Sequence, residues 1–346
     1  MAGHLKECAL AVALVCVTGV AAGAAAPPRT GGEAALTEGS LPELGPESTL
    51  QDYLRYAAAA NPGLEAARRR WEAAAEESAR ARALPEPQLS FSRVVRPAAS
   101  GDGPREQRLA LSQGFPWFGT LAARGAAADA GAGAAGREYE QARLELAFRV
   151  KTAYAEYYYL GRALEIARDH VDLVAHLEAV ARTRYRSGSA THSAVVQAQV
   201  ELGRLEDQRR GLEAQRAPAM ARLNAALDRA PEAVLPWPGS LEVPEAPFTD
   251  AEAMDRLAQG NADLGRLDWL ARERQQGVRL ARKAYYPELM LGVEYTANPA
   301  SMAGGSRDPV MAMATVSLPI WRGSYRAAER QARLQGAAVQ AERAEA

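Results

Sequence analysis

Phe115-Pro116-Trp117-Phe118-Gly119 and, later in the chain, Leu318-Pro319-Ile320-Trp321-Arg322-Gly323 are two versions of one breaker, and each opens a new helical pattern. Two more breakers recur at a spacing of 200 residues. Asn61-Pro62-Gly63-Leu64 matches Asn261-Ala262-Asp263-Leu264, and Pro87 in Leu84-Pro85-Glu86-Pro87-Gln88-Leu89 matches Pro287 in Tyr285-Tyr286-Pro287-Glu288-Leu289. Each Asn separates a short helical pattern, Leu50 to Ala60 or Thr249 to Gln259, from a second helix. Breakers in the same order at a long period mean two copies of one structural unit. Chance similarity between Ala-rich helices reproduces composition but does not place breakers in register. The units are expected over residues 49–240 and 241–346.

Between these landmarks the hydrophobic period changes from helix to strand. Leu89, Phe91 and Val95 alternate with Gln88, Ser90 and Ser92, while Leu109 and Leu111 alternate with Arg108, Ala110 and Ser112. In the second copy Leu289, Leu291, Val293 and Tyr295 oppose Gly292, Glu294 and Thr296, and Ala314, Val316 and Leu318 oppose Thr315 and Ser317. Two-residue alternation marks strands with one apolar face. Hairpins are predicted over 88–113 and 287–318, joined by Pro/Gly/Ser/Asp-rich loops at Arg96 to Pro104 and Ala297 to Asp308. Four strands separated by long helices cannot bury their own sheet as a small core. Strands of this kind, apolar outside and polar inside, fit a membrane barrel, which must close and so needs several chains. Leu89, Phe91, Leu291 and Val293 are then the lipid-facing residues. The alternative is a soluble sheet of two hairpins covered by helices.

A very long helical hairpin completes the pattern. Leu146, Val150, Ala153, Tyr157, Leu160, Leu164, Ala167, Val171 and Val174 step in heptads, and no proline occurs from Leu121 to Arg186. At ~1.5 Å per residue such a helix is about 100 Å long. After Ser187-Gly188-Ser189 the seam restarts at Val195, Ala198, Leu202 and Leu205 and continues through Leu212, Ala219, Leu223 and Ala226, interrupted at Arg209 and Arg216. Two heptad helices around a short glycine turn predict an antiparallel coiled coil over 121–228, with Ser193 as N-cap of the returning helix. Tyr154, Tyr157, Tyr158 and Tyr159 sit at helical spacing and read as packing residues. His170 and His176, six apart, do not share a helix face, and His192 reads as equally structural. The fold class is therefore mainly α with two β-hairpins.

Composition excludes several functions. The 346 residues carry 41 Lys+Arg against 42 Asp+Glu, so a net charge of -1 supplies no field for nucleic acid. Cys8 and Cys16 both lie near the start, and no His, Cys or carboxylate set has a metal-motif spacing, which excludes a disulfide scaffold, a zinc ribbon and a thiol enzyme. No cofactor or catalytic residue is expected, since carboxylates are scattered over helix surfaces rather than clustered with a nucleophile or base. Residues 1–26 read as a secretory signal peptide: Lys6, an apolar run from Ala9 to Val20, and small residues at Ala22 to Ala26. The run falls short of the about 20 apolar residues a membrane anchor needs. Acylation at Cys16 is the other alternative, with bulky Val15 before it. Residues 27–48, rich in Gly, Pro, Thr and Ser, are expected to form a flexible lead-in.

From about Leu50 to the C-terminus the chain resembles the TolC family of outer-membrane efflux channels. The matching residues are Asn61-Pro62, Leu84-Pro85-Glu86-Pro87, Phe115-Pro116-Trp117-Phe118-Gly119, Arg184-Tyr185-Arg186-Ser187-Gly188 at the coiled-coil turn, and Ala221-Arg222-Leu223-Asn224-Ala225-Ala226-Leu227 closing the first half. The Pro-Trp-Phe-Gly form is most similar to the heavy-metal efflux branch. Ala194 stands where the family often has Asp. The resemblance implies a homotrimer whose four strands per chain make a 12-stranded barrel in outer-membrane lipid, continued by a helical tunnel in the periplasm. It also implies a periplasmic adaptor protein and an inner-membrane pump as partners, with small molecules or metal ions passing through. The adaptor contact is expected at the tip, at Arg184, Tyr185, Arg186, Gly188 and Ser193. A different reading is that the chain is itself a periplasmic adaptor, which also carries a helical hairpin but lacks the duplicated strand pairs. Only 23 residues follow Gly323, against about a hundred after Gly119 in the first copy. The second unit is thus expected to be truncated, the gene continuing further or the product assembling poorly.

Overall fold

The computed structural model describes residues 43–93, 107–241, 249–297 and 308–346. The signal peptide and most of the lead-in, together with most of both hairpin loops, lie outside the described residues. The elements run α1 (Leu50–Ala60), α2 (Pro62–Ala81), β1 (Gln88–Arg93), β2 (Gln107–Phe115), α3 (Thr120–Arg186), α4 (His192–Ala214) and α5 (Arg216–Ala226). They continue with α6 (Asp250–Gly260), α7 (Ala262–Lys283), β3 (Leu289–Ala297), β4 (Val310–Val316) and α8 (Arg322–Glu345).

The duplication is visible in cap chemistry. Asn61 ends α1 and caps α2, its Oδ1 accepting the Leu64 N–H at 2.9 Å, with Pro62 placed where a helix needs no N–H. Asn261 does the same between α6 and α7, accepting from Asp263 and Leu264 at 2.8 and 3.3 Å. Both Asn residues have ψ 114°, an extended conformation that turns the chain between helices. The preceding helices also start alike. The Asp52 carboxylate accepts the Thr49 N–H at 2.9 Å, and the Glu252 carboxylate accepts the Thr249 N–H at 2.8 Å, so both ends carry a reciprocal cap. The copies differ at the third breaker. Gly119 takes φ 79° just before α3, whereas α8 begins at Arg322, one residue ahead of Gly323, from Trp321 at φ −80°.

The four strands form one antiparallel sheet in the order β1-β2-β3-β4, so the two hairpins pair through β2 and β3. β1 covers 6 residues, β2 and β3 cover 9 each and β4 covers 7, somewhat shorter than the about ten expected of a tilted membrane strand. The helix α3 contains 67 residues without a break. Its first third packs on α2 and α7 through Ala123, Gly125, Ala130 and Ala134, whose small side chains let the helices approach closely. Indole rings fill the remaining space: a Cβ on Gly133 would stand 2.5 Å from Trp269, and one on Gly161 would stand 2.9 Å from Trp237. α8 packs on α7 as α3 packs on α2.

The core lies midway along α3. Leu146, Val150, Ala153, Tyr157, Leu160, Leu164 and Ala167 are buried, as the heptad pattern requires, and Val171 and Val174 are half-buried. Tyr53 meets Tyr154 edge-on at 5.1 Å, and Tyr157 stacks on Trp237 at 4.5 Å. The Tyr154 and Tyr157 hydroxyls donate to the Ser240 and Leu235 carbonyls at 2.9 and 3.0 Å, hanging the 228–241 segment on α3. Burial pushes the Tyr53 phenol up to about 12 and the Tyr154 phenol up from its ordinary value. Tyr158 is half-buried, and Tyr159 is exposed, against the packing role its spacing suggested.

Three expectations are corrected in detail. The returning arm is two helices, because Pro218 has no N–H to donate to the Ala214 carbonyl, and α4 gives way to α5 at Gln215. Thr191 rather than Ser193 occupies the N-cap position of α4; Ser193 is its second helical residue. Residues 43–48, at the end of the expected flexible lead-in, make a turn in which Ser48 Oγ accepts the Gly45 N–H at 2.9 Å, and Leu44 packs on the core.

Candidate functional site

The sheet has two chemically different faces. Residues directly opposite in an antiparallel pair share a face, so the register puts Leu89, Leu111, Val293 and Ala312 in one row. Phe91, Leu109, Tyr295 and Val310 form the next row, and Leu291 beside Ala314 another. The predicted lipid-facing residues Leu89, Phe91, Leu291 and Val293 all lie on this apolar face, with 70%, 66%, 44% and 50% of their surface exposed. The opposite face carries Ser90, Arg108, Ser112, Glu294, Thr296 and Thr315, with Arg108 3.8 Å from Glu294. β1 and β4 are the edges of the sheet.

At the end of the sheet nearest the helices an aromatic collar joins the copies. Trp117 stacks on Tyr286 at 5.2 Å, and Lys283 Nζ donates to the Phe118 carbonyl at 2.9 Å. Beside them a cavity of about 370 Å³ is lined by Trp117, Thr120, Arg124, Lys283, Tyr286 and Tyr325. Phe118, Leu318, Ile320 and Trp321 extend the collar as exposed apolar side chains. Arg82 and Ser78 of α2 hold Asp129 of α3, which keeps its carboxyl below the usual range, Arg82 contributing most.

The coiled-coil tip is shaped by a glycine. Gly188 has φ 73°, and the Ser189 and Gly188 N–H groups donate to the Arg184 and Tyr185 carbonyls at 2.8 and 3.0 Å, closing α3 with a left-handed cap. Tyr185 and His192 touch across the turn with ring centroids 5.3 Å apart. Arg184, Arg186 and Ser193 are exposed, so the five predicted contact residues occupy one tip. Between Ala179 and Val200 there is no acidic residue, which leaves Arg184 and Arg186 without an ion pair among the described residues.

One tip residue escaped sequence reading. Glu178 stands where the heptad seam calls for an apolar side chain, is 7% exposed, and accepts from Gln199 of α4 at 3.0 Å and from Arg182. Gln199 first and Arg182 second hold its carboxyl below the ordinary glutamate value. The signal was available, since Glu178 lies four residues beyond Val174 in the 4-3 pattern. Among the described residues no group of three His, Cys, Asp or Glu could hold a metal ion, and no helix is long and apolar enough to cross a membrane.

A four-stranded sheet with one exposed apolar face, continued by a helix of 67 residues, defines the fold class as mainly α with two β-hairpins. The outer membrane efflux protein family model matches residues 54–229, just over half of the chain, and the chain belongs to that family. It is an outer-membrane channel component of efflux, not a periplasmic adaptor. The fold is shared with solved outer-membrane channels. OprN matches at 18% identity and TM-score 0.67 over 86% of this chain and 70% of its own. VceC from Vibrio cholerae matches at 20% and 0.66 over 86% and 74%. The open state of MtrE from Neisseria gonorrhoeae matches at 19% and 0.63 over 85% and 68%. Among curated proteins, none matches the chain in sequence.

Proposed function

We propose that the chain is one third of a passive exit duct: a homotrimer whose sheets join edge to edge into a 12-stranded barrel, with the helices forming a tunnel in the periplasm. The observation that carries this is the sheet itself. Its apolar face is exposed, and β1 and β4 are open edges. Neither is tolerable in water, and both are satisfied when three copies close around a lumen within lipid. The duct performs no catalysis. An inner-membrane pump supplies the energy, and a periplasmic adaptor docks on the tip at Arg184, Tyr185, Arg186, Gly188 and Ser193. The tip's unbroken positive charge favours an acidic adaptor surface, so docking weakens as salt rises.

The test is charge placement. An Arg at the bilayer midplane costs about 2 to 4 kcal/mol on a lipid face, so Leu291→Arg abolishes insertion, whereas Thr296→Arg on the opposite face leaves it intact. Equal insertion of both variants in a membrane-assembly assay would overturn the barrel.

A further inference from the structure

The polar face of the sheet carries a set of side chains that a plain water-filled duct does not require. Met290 pairs with Thr315, Met313 with Gly292 and Met311 with Glu294, so three of the chain's 7 methionines share the face of Ser112, Glu294 and Thr315. Met311 and Met313 are alternate residues of β4, and Met290 is the diagonal neighbour of Met313 across the β3–β4 pair. Diagonal neighbours stand about 7–8 Å apart at Cα, within reach of long side chains. Gly292 opens the space between them: the Met313 methyl lies 3.6 Å from where a Cβ on Gly292 would be, so this thioether folds over the glycine toward β3. All three methionines are more than a third exposed.

Apolar bulk alone does not account for the choice, because the apolar face of the same two strands uses Leu, Val, Tyr and Ala and no methionine. Thioether sulfur differs from those side chains in being a soft, uncharged, polarizable donor on a flexible stem. Such donors select soft monovalent cations, while carboxylate and carbonyl oxygens select hard ones. No His or Cys lies in any of the four strands to compete with them. We propose that Met313, with Met290 diagonally across the pair and Met311 beside it on β4, forms a thioether site that takes a soft monovalent metal ion, Cu(I) or Ag(I), between two sulfurs. Calling the site part of the lumen wall rests on the exit-duct reading above; the placement of the three methionines on one face is a property of one sheet. Exposed neutral ligands on one wall bind such an ion weakly enough to release it, as a conduction pathway requires.

The experiment uses the purified full chain, labelled with 13C at the methionine methyl groups and titrated with Ag(I), which is redox-inert. Resonances are assigned by Met290→Leu, Met311→Leu and Met313→Leu, which keep volume and remove sulfur. The signals of these three residues are expected to move together and saturate at about one ion per chain, while Met220 and exposed Met254 stay in place. Replacing the shared Met313 sulfur weakens Ag(I) binding about tenfold, and the triple Leu variant loses the site in equilibrium dialysis. Zn(II) moves none of the three. The site is overturned if Met254 shifts as much as they do, if the triple variant binds as many Ag(I) ions as the parent, or if Zn(II) acts like Ag(I). Conductance of the same preparation in planar bilayers separates the two readings. Ag(I) binding without a conducting barrel overturns the duct and leaves the site standing. A conducting barrel whose methionines ignore Ag(I) overturns the site alone.

Discussion

Asp228 has φ 56°, the single positive value outside glycine among the described residues, and it closes α5 by the arrangement that Gly188 uses at the tip. The Arg229 N–H donates to the Asn224 carbonyl at 2.9 Å across it. A side chain in this conformation is strained, though Asp tolerates it better than most, so Asp228→Gly should raise stability by about 0.5 kcal/mol, read as a higher Tm. Gly133→Ala should do the opposite. Alanine gains helix propensity of about 1 kcal/mol, but its methyl would stand 2.5 Å from Trp269, and overpacking of that kind costs about 1–3 kcal/mol. A net loss in thermal unfolding is expected, restored when Trp269 is also shortened to Leu. Tyr53 adds a pH signature. Its phenol titrates near 10 unfolded and at about 12 folded, so its contribution is fully present below 10 and is lost as pH rises through 12. Alkaline unfolding should shift to higher pH in Tyr53→Phe. Tyr154 and Tyr157 were readable as packing residues from their spacing, whereas Tyr159, read the same way, is exposed. The partners of the Tyr154 and Tyr157 hydroxyls, Ser240 and Leu235, were not readable, because they lie 86 and 78 residues away in a segment without periodicity.

At the scale of the element, the long hairpin was legible because its information is local: a heptad seam, no proline and one glycine turn. The seam's end was less so. Glu178 replaces an apolar residue two turns before the tip and relies on Gln199 of the opposite helix and on Arg182 of its own. Its folded pKa is depressed, so the stabilisation is present above the unfolded value and is lost as pH falls through the folded one. Below pH 4.5, the ordinary glutamate value, amides between Glu178 and Gln199 should exchange faster while those around Leu160 stay protected; Glu178→Gln should remove the pH dependence. Gly188 supplies the other element-scale test. At φ 73° a β-branched residue is strongly resisted, so Gly188→Val should distort the tip and weaken adaptor docking while trimer formation is unchanged. Loss of the trimer in that variant, or undiminished crosslinking from position 186 to a periplasmic protein, would contradict the docking assignment.

For the whole molecule, the sequence by itself determined the parts and their order: two copies of a helix pair, a hairpin and a following helix, with Asn61 and Asn261 as matched joints and one apolar side to each strand. These are decided within a few residues by side-chain period, by proline's missing N–H and by capping groups, so they can be read along the chain. What only the tertiary structure decided is how the copies meet. Pairing of β2 with β3 makes one sheet of two hairpins, and α3 lies against both α2 and α7 because Gly133 and Gly136 leave room for Trp269 and Trp71. Pairing of β3 with β4 sets Met290, Met311 and Met313 on one face, since each strand alone shows only that its methionines alternate with apolar residues. Such contacts join residues far apart in sequence, and their register depends on which surfaces fit together, a property no local stretch of chain contains.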